Sequence, residues 1–217
     1  CFLLVLAVPD PVLWRLTYAD RDLPAAEKQR LMAAYRRFVQ RHLYFHGEHR
    51  TFLSKNPSFT PFMATLADAF PDARFIGCLR NPTAAVPSQI NSIVIGGKLF
   101  DGRDTADYWR EGFLAMLDYY YRHLLEQLDG LPEGRGALSV METLAAAPGE
   151  SVSGFYRTFG WTPSPAYRAF LDGEDRRAAA YRSGHRYSLE NLGVDPGRLA
   201  ATFGWVYDRF GYPRPGD

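Results

Sequence analysis

The chain has 217 residues, 47% hydrophobic and 23% charged, with a formal net charge of +1. This suits one globular domain with a sizeable core, and the dispersed basic residues give no argument for nucleic acid as a partner. Two cysteines, Cys1 and Cys78, exclude a disulfide framework, and no apolar run approaches the ~20 residues that span a bilayer; the expectation is a reducing, cytoplasmic setting.

Residues 2–8 (Phe-Leu-Leu-Val-Leu-Ala-Val) are too short for a span and lack a basic flank. They read as a buried strand or helix segment, with the tail of a trimmed signal peptide as the alternative. The chain starts at Cys1 within this apolar run, so further sequence upstream is expected. Residues 9–23 read as irregular. From Pro24 to His46 the pattern is helical, with Leu31, Tyr35, Phe38, Val39, His42 and Leu43 on one face and Gly47 as the stop. Phe52 and Leu53 form the centre of a short strand. Thr60-Pro61 opens a helix by the cap-then-proline rule, with Met63, Leu66, Ala67 and Phe70 inward. Residues 74–79 form a second strand, in which Cys78 is a buried apolar filler, and Asn81-Pro82 repeats the cap signal.

Residues 96–104 read as a glycine-containing loop. A long amphipathic helix follows over about 105–129, with Phe113, Met116, Leu117, Tyr120 and Leu124 inward. Residues 137–141 form a third strand. Pro148 opens a helix with Phe155 and Phe159 inward and Gly160 as its stop, residues 161–184 are mixed, and Asp195-Pro196 caps a last helix carrying Leu199, Phe203, Val206 and Phe210. Strands alternating with helices predict an α/β layered fold.

A cation follows each of the first two strands: Lys55 and Arg80. Ligands of open parallel sheets bind beyond the carboxyl ends of the strands, so the two cations are expected in one crevice, facing a nucleotide with several anionic groups. Arg80 precedes a helix N-terminus, where unpaired N–H groups and the dipole favour an anion, and its guanidinium can grip a phosphate bidentately. Ser88 lies eight residues on, behind Pro87, which removes one helical N–H and can turn Ser88 toward the same anion. A compact ammonium at Lys55 suits charge developing on a leaving phosphate oxygen. The plain alternatives are a structural ion pair for Arg80, a solvated loop lysine for Lys55 and an ordinary small helix residue for Ser88.

The string Leu53-Ser-Lys-Asn-Pro, Phe70-Pro-Asp-Ala-Arg-Phe-Ile, Arg80-Asn-Pro and Val86-Pro-Ser88 resembles the sulfotransferases, especially their bacterial branch. Val140-Met-Glu-Thr-Leu with Pro148, Phe155-Tyr-Arg-Thr-Phe-Gly160, and Tyr181-Arg-Ser-Gly-His-Arg-Tyr-Ser-Leu-Glu190 with the segment from Phe203 to Tyr212 resemble further elements of that family. The resemblance covers about residues 50–212. It implies one sulfotransferase-like domain over residues 1–217, with a P-loop-like three-layer α/β fold in which helices flank a short parallel sheet. It also implies the donor 3′-phosphoadenosine-5′-phosphosulfate (PAPS) as co-substrate, no metal, and sulfuryl transfer to a hydroxyl or amine of a small-molecule or glycan acceptor. By the same resemblance Arg80 and Ser88 hold the 3′-phosphate and Lys55 stabilises the leaving group. Tyr181, Ser183 and His185 lie in the segment that closes over the nucleotide.

Two features depart from the family. Its glycine-rich phosphosulfate loop is not in the sequence; Gly96-Gly97-Lys98 lacks the spacing of a phosphate loop. The expectation is an amino-terminal truncation. Many relatives also place a histidine base soon after the lysine, where this chain has Asn56-Pro-Ser-Phe59, so no base is assigned.

His42, His46 and His49 with Glu48 do not make H-E-x-x-H, because Leu43 stands where Glu is needed. They read as a helix end, with a metal site or a catalytic base as alternatives. Tyr119, Tyr120 and Tyr121 read as core, with an acceptor pocket as the alternative. Glu142 ends the third strand and can pair with a basic residue of the cofactor loop. Two other functions stay open: a module that binds adenosine-3′,5′-bisphosphate without transfer, and a kinase-like P-loop protein, disfavoured by the lack of a Walker lysine.

Overall fold

Asn-Pro pairs and borrowed carboxylates set several of the helix starts. The computed structural model describes residues 14–101, 106–180 and 193–216, and the chain divides into two compact units, Cys1–Ala73 and Arg74–Asp217. No helix among the described residues is long and apolar enough to cross a membrane.

In the first unit, a 3-10 turn (Arg15–Tyr18) and one helical turn (Ala19–Asp22) precede helix α1 (Ala25–His46). The described part of residues 9–23 is therefore helical rather than irregular. Its anchor is Asp20, whose carboxylate accepts the N–H groups of Ala64 (2.8 Å) and Thr65 (3.1 Å). These are orphan donors of helix α2 (Met63–Ala69), whose own N-cap Phe62 has no side-chain acceptor. Helix α1 ends at Gly47, with φ 114°. Along it Met32 is buried and Tyr35, Val39 and Leu43 are half-buried, while Leu31, Phe38 and His42 of the expected inner face are exposed. Tyr35 meets Phe59 and Phe70 edge-on, with ring centroids 5.1 and 5.7 Å away.

The expected strand at Phe52-Leu53 does not form. Residues 51–56 have no regular secondary structure and pair with neither strand of the two-stranded sheet, and Leu53 is 88% exposed. An extended segment needs a ladder partner to count as a strand, so Lys55 does not stand at a strand end. It precedes a 3-10 turn (Pro57–Phe62) whose N-cap, Asn56, accepts the Ser58 N–H at 3.0 Å. Helicity thus begins at Asn56-Pro57, not at Thr60-Pro61.

The second unit contains strand β1 (Phe75–Leu79), helices α3 (Pro82–Asp101) and α4 (Ala106–Gly130), strand β2 (Gly136–Val140), and helices α5 (Met141–Ala146), α6 (Pro148–Thr158), α7 (Pro165–Ala180) and α8 (Pro196–Phe210). The strands are parallel, in register from Phe75 opposite Gly136 to Leu79 opposite Val140. The expected short parallel sheet flanked by helices is present. Gly77 lets α4 approach β1: a Cβ there would meet Leu128 Cδ1 at 2.6 Å and Leu124 Cδ1 at 3.0 Å. Alternation then turns Leu79 inward and Cys78 the other way, so Cys78 is exposed rather than a buried filler. The core of this unit joins Val86, Ile90 and Ile93 of α3, Phe113 and Met116 of α4, and Leu199, Phe203 and Val206 of α8.

Three boundaries differ from expectation. Helix α3 runs through Gly96 and Gly97 to Asp101, because each glycine costs only about 1 kcal/mol in a helix interior and the buried Ile90 and Ile93 hold the helix in place. Residues 165–180 are helical, started by the cap-then-proline pair Ser164-Pro165, where Ser164 Oγ accepts the Tyr167 N–H at 3.2 Å. The strand expected at 137–141 ends at Val140, and Met141 and Glu142 open α5.

Helices α6 and α7 meet at Gly149. A Cβ there would lie 2.2 Å from the Leu171 carbonyl oxygen, while Asp175 accepts the N–H groups of Gly149 (2.6 Å) and Glu150 (3.1 Å). Gly149→Ala is therefore expected to lower unfolding stability by about 1–3 kcal/mol. Gly154→Ala is expected to be neutral or to stabilise by up to about 1 kcal/mol, since its Cβ would meet only Arg157 Nη2, at 3.7 Å. Urea denaturation of both variants measures the contrast, and equal midpoints would refute this packing.

Candidate functional site

The parallel register that sets Leu79 opposite Val140 brings Arg80-Asn81 and Met141-Glu142 out of the sheet side by side, at its carboxyl edge. Asn81 caps α3: its side-chain oxygen accepts the Thr83 N–H at 2.9 Å, and its carbonyl accepts the Ala84 and Ala85 N–H groups at 3.0 and 2.9 Å. Pro82 at the first helical position has no N–H to satisfy. Arg80 is thus fixed two residues ahead of a 20-residue helix, whose N-terminus carries positive partial charge.

Both sides of the Arg80–Asn81 peptide are held. The Tyr121 hydroxyl, from α4, donates to the Arg80 carbonyl at 2.6 Å. The Asn81 N–H donates to Glu142 Oε1 at 3.0 Å, and the Tyr212 hydroxyl donates to Glu142 Oε2 at 3.0 Å. Tyr212 reaches this point because Gly211 turns the chain after α8 with φ 63°. One helical turn back, the Tyr207 hydroxyl lies 3.0 Å from Thr83 Oγ1, tying α8 to the first turn of α3. Among the described residues Glu142 holds a backbone N–H and a phenol; the cofactor-loop residues with which it could pair lie outside them.

Burial pushes the Tyr121 hydroxyl well above the ordinary tyrosine pKa, and nearby Tyr212 and Glu142 add to this. Tyr212 is raised first by burial and then by its bond to Glu142, and Tyr207 by burial. All three therefore stay protonated through neutral and mildly alkaline pH.

Arg80 itself is exposed, and no carboxylate among the described residues pairs with it. Some other arginines of this unit are paired, as in Arg122–Asp118 at 2.9 Å and Arg157–Glu150 at 2.7 Å. Ser88 is half-buried in α3, about 9 Å along the helix axis from Pro82 at 1.5 Å per residue, and its carbonyl accepts the Ser92 hydroxyl at 2.9 Å. Helix α3 runs unbroken through Pro87. Lys55 belongs to the first unit, where it too is exposed, with no carboxylate paired to it among the described residues. Tyr181, Ser183 and His185 lie outside the described residues.

The His42 and His46 rings lie tilted against each other with centroids 4.4 Å apart, and His42 lies edge-on to Phe52 at 5.0 Å. Among the described residues no group of three or more His, Cys, Asp and Glu could hold a metal. Tyr120 and Tyr121 are buried, as the core reading expected. A shallow open depression lies along Gly136, Ala137 and Leu138 and the facing side of α6. It follows the first residues of β2, at the end away from Arg80.

Sequence reasoning did not reach the hydrogen-bonding roles of Tyr121, Tyr207, Tyr212 and Thr83. The only available signal was the tyrosine content of α4 and of the last helix, which does not say which carbonyl or carboxylate each hydroxyl meets.

A family model described as Sulfotransferase family matches residues 14–165. The sulfotransferase STF9 from Mycobacterium avium, known from its crystal structure, is similar in fold, with a TM-score of 0.61 at 20% sequence identity; the match covers 75% of this chain and 42% of that one. The chain thus spans less than half the length of that protein. A search of curated proteins gave no match.

The raised Tyr121 pKa has a sign. A proton held more tightly in the folded state gives stability that is complete below the unfolded pKa, about 10, and is lost as pH rises toward the folded value. At pH 8, Tyr121→Phe should destabilise by about 1 kcal/mol, as one lost hydrogen bond. The gap between variant and unaltered chain should shrink above pH ~10, as the unfolded tyrosine ionises. Thermal unfolding across this range checks it, and a gap that widens would contradict the assignment.

Proposed function

The chain belongs to the sulfotransferase family, and from that premise we propose that it uses PAPS as donor and passes the sulfuryl group to a hydroxyl or amine of a small-molecule or glycan acceptor. The observation that carries this reading is the exposed Arg80 guanidinium, without a carboxylate partner among the described residues and set by a capped turn at the carboxyl edge of a parallel sheet and at the N-terminus of α3. A guanidinium and a positive helix end make a site for a dianionic phosphate. In this proposal Arg80 and Ser88 bind the 3′-phosphate of the donor. The setting is a reducing, cytoplasmic one, which two cysteines permit.

The reaction is a displacement at sulfur. The acceptor oxygen or nitrogen attacks the sulfur opposite the bridging oxygen, a new bond to sulfur forms, and the bond from sulfur to the phosphate oxygen breaks. The acceptor loses a proton, and adenosine-3′,5′-bisphosphate leaves with the electron pair. Lys55 stabilises the charge that grows on the departing phosphate oxygen, a role suited to a compact ammonium. Tyr181, Ser183 and His185 belong to the segment that closes over the nucleotide in this reading.

Arg80→Ala should weaken binding of adenosine-3′,5′-bisphosphate about tenfold, equal to about 1.4 kcal/mol, in isothermal titration calorimetry; unchanged affinity would sink the phosphate assignment. Lys55→Ala should cut turnover about a hundredfold, on the scale of one lost transition-state donor, when release of the bisphosphate from the donor is followed by chromatography. Binding without any turnover by the unaltered chain would favour a binding module over an enzyme.

A further inference from the structure

We infer that Tyr121 and Glu142 are positioning residues for the donor site, which aim Arg80 by clamping the peptide that follows it. This rests on the reading of Arg80 as a ligand of the donor phosphate. Neither residue touches that phosphate in the proposal; each acts through Arg80.

The argument is geometric. A long arginine side chain loses several rotatable bonds of freedom when it grips an anion. A fixed backbone at its root lowers that cost, because the guanidinium then samples a smaller region. Here the root is fixed from two directions. The Tyr121 hydroxyl holds the Arg80 carbonyl at 2.6 Å and the Glu142 carboxylate holds the next N–H at 3.0 Å. The contacts come from different elements: Tyr121 lies within α4 and Glu142 in the first turn of α5, directly after β2. The peptide plane therefore cannot rotate without breaking both bonds.

Glu142 is held in turn. Its second oxygen accepts the Tyr212 hydroxyl at 3.0 Å, so the segment after α8 restrains the clamp. Tyr121 is buried, and water has poor access to replace its hydroxyl. The placement also explains why an acidic residue can stand beside an anion site. Glu142 spends both oxygens on an N–H and a phenol, and so is turned to the backbone rather than competing for the guanidinium. Arg80, correspondingly, has no carboxylate partner among the described residues.

The test is a double-mutant cycle on adenosine-3′,5′-bisphosphate binding, measured by calorimetry on the whole chain at a temperature where circular dichroism shows each variant folded. Glu142→Ala and Tyr121→Phe are each expected to weaken binding about fivefold, the scale of one lost hydrogen bond. Glu142→Gln should restore most of the affinity, since its amide can meet both the N–H and the phenol. In the Arg80→Ala background the Glu142→Ala and Tyr121→Phe effects should vanish, because residues acting through Arg80 have nothing left to aim. If Glu142→Ala and Tyr121→Phe leave affinity unchanged while Arg80→Ala lowers it, the clamp is refuted and the donor site stands. If both weaken binding by the same factor with and without Arg80, they act on the fold at large and the clamp is again refuted. If Arg80→Ala alone changes nothing, the donor-site reading itself fails. Should Glu142→Ala not fold, Tyr121→Phe, which removes one oxygen atom, decides the matter alone.

Discussion

The Arg80–Asn81 peptide is the constraint on which the candidate site depends. A parallel strand ends there and a helix begins one residue later, so the backbone must turn between two ladders of hydrogen bonds within a single peptide. That turn would leave a carbonyl and an N–H without ladder partners, at a cost of about 1–3 kcal/mol for each if buried and unmet. The protein meets both with side chains, Tyr121 on one side and Glu142 on the other. Asn81 meets the first helical donors in the same place. Satisfying the backbone also orients the arginine, so local stability and the proposed anion site come from the same bonds.

The surrounding packing serves this turn. The parallel register brings the ends of β1 and β2 together, which places Glu142 within reach of Asn81. Gly77 lets α4 lie close on β1, which brings Tyr121 to the strand end. Helix α8 contributes the fully buried Phe203 and Tyr207 to the core and then delivers Tyr212 to Glu142 through a left-handed glycine. Tyr207 ties the same helix to Thr83. Each contact is modest alone, and their value lies in converging on one peptide.

Much of this was legible in local sequence and some was not, for physical reasons. The pattern cation-Asn-Pro occurs at Lys55 and again at Arg80, and both asparagines do cap. Capping is legible because it depends on residues within one turn. The same rule holds at Ser164-Pro165, inside a segment whose sequence reads as mixed. The strand expected at Phe52-Leu53 failed because strand formation depends on a partner, which two apolar residues cannot specify. The exposure of Cys78 follows from alternation around Gly77 and needed knowledge of which face α4 covers. The clamp was least legible: its bonds join residues 41, 61 and 70 positions apart, far beyond any local pattern. Glu142 could be singled out as a strand-end acid, but its partners were visible only in three dimensions.

The central claim is that Arg80 and the start of α3 recognise a phosphate on the 3′ position of an adenosine donor. The most direct measurement compares adenosine-3′,5′-bisphosphate with adenosine-5′-monophosphate by isothermal titration calorimetry on the unaltered chain, because the two ligands differ only in that phosphate. The account predicts that the bisphosphate binds about tenfold tighter or more, on the scale of a bidentate charged contact. Equal affinity for the two nucleotides, or no binding of either, would contradict it.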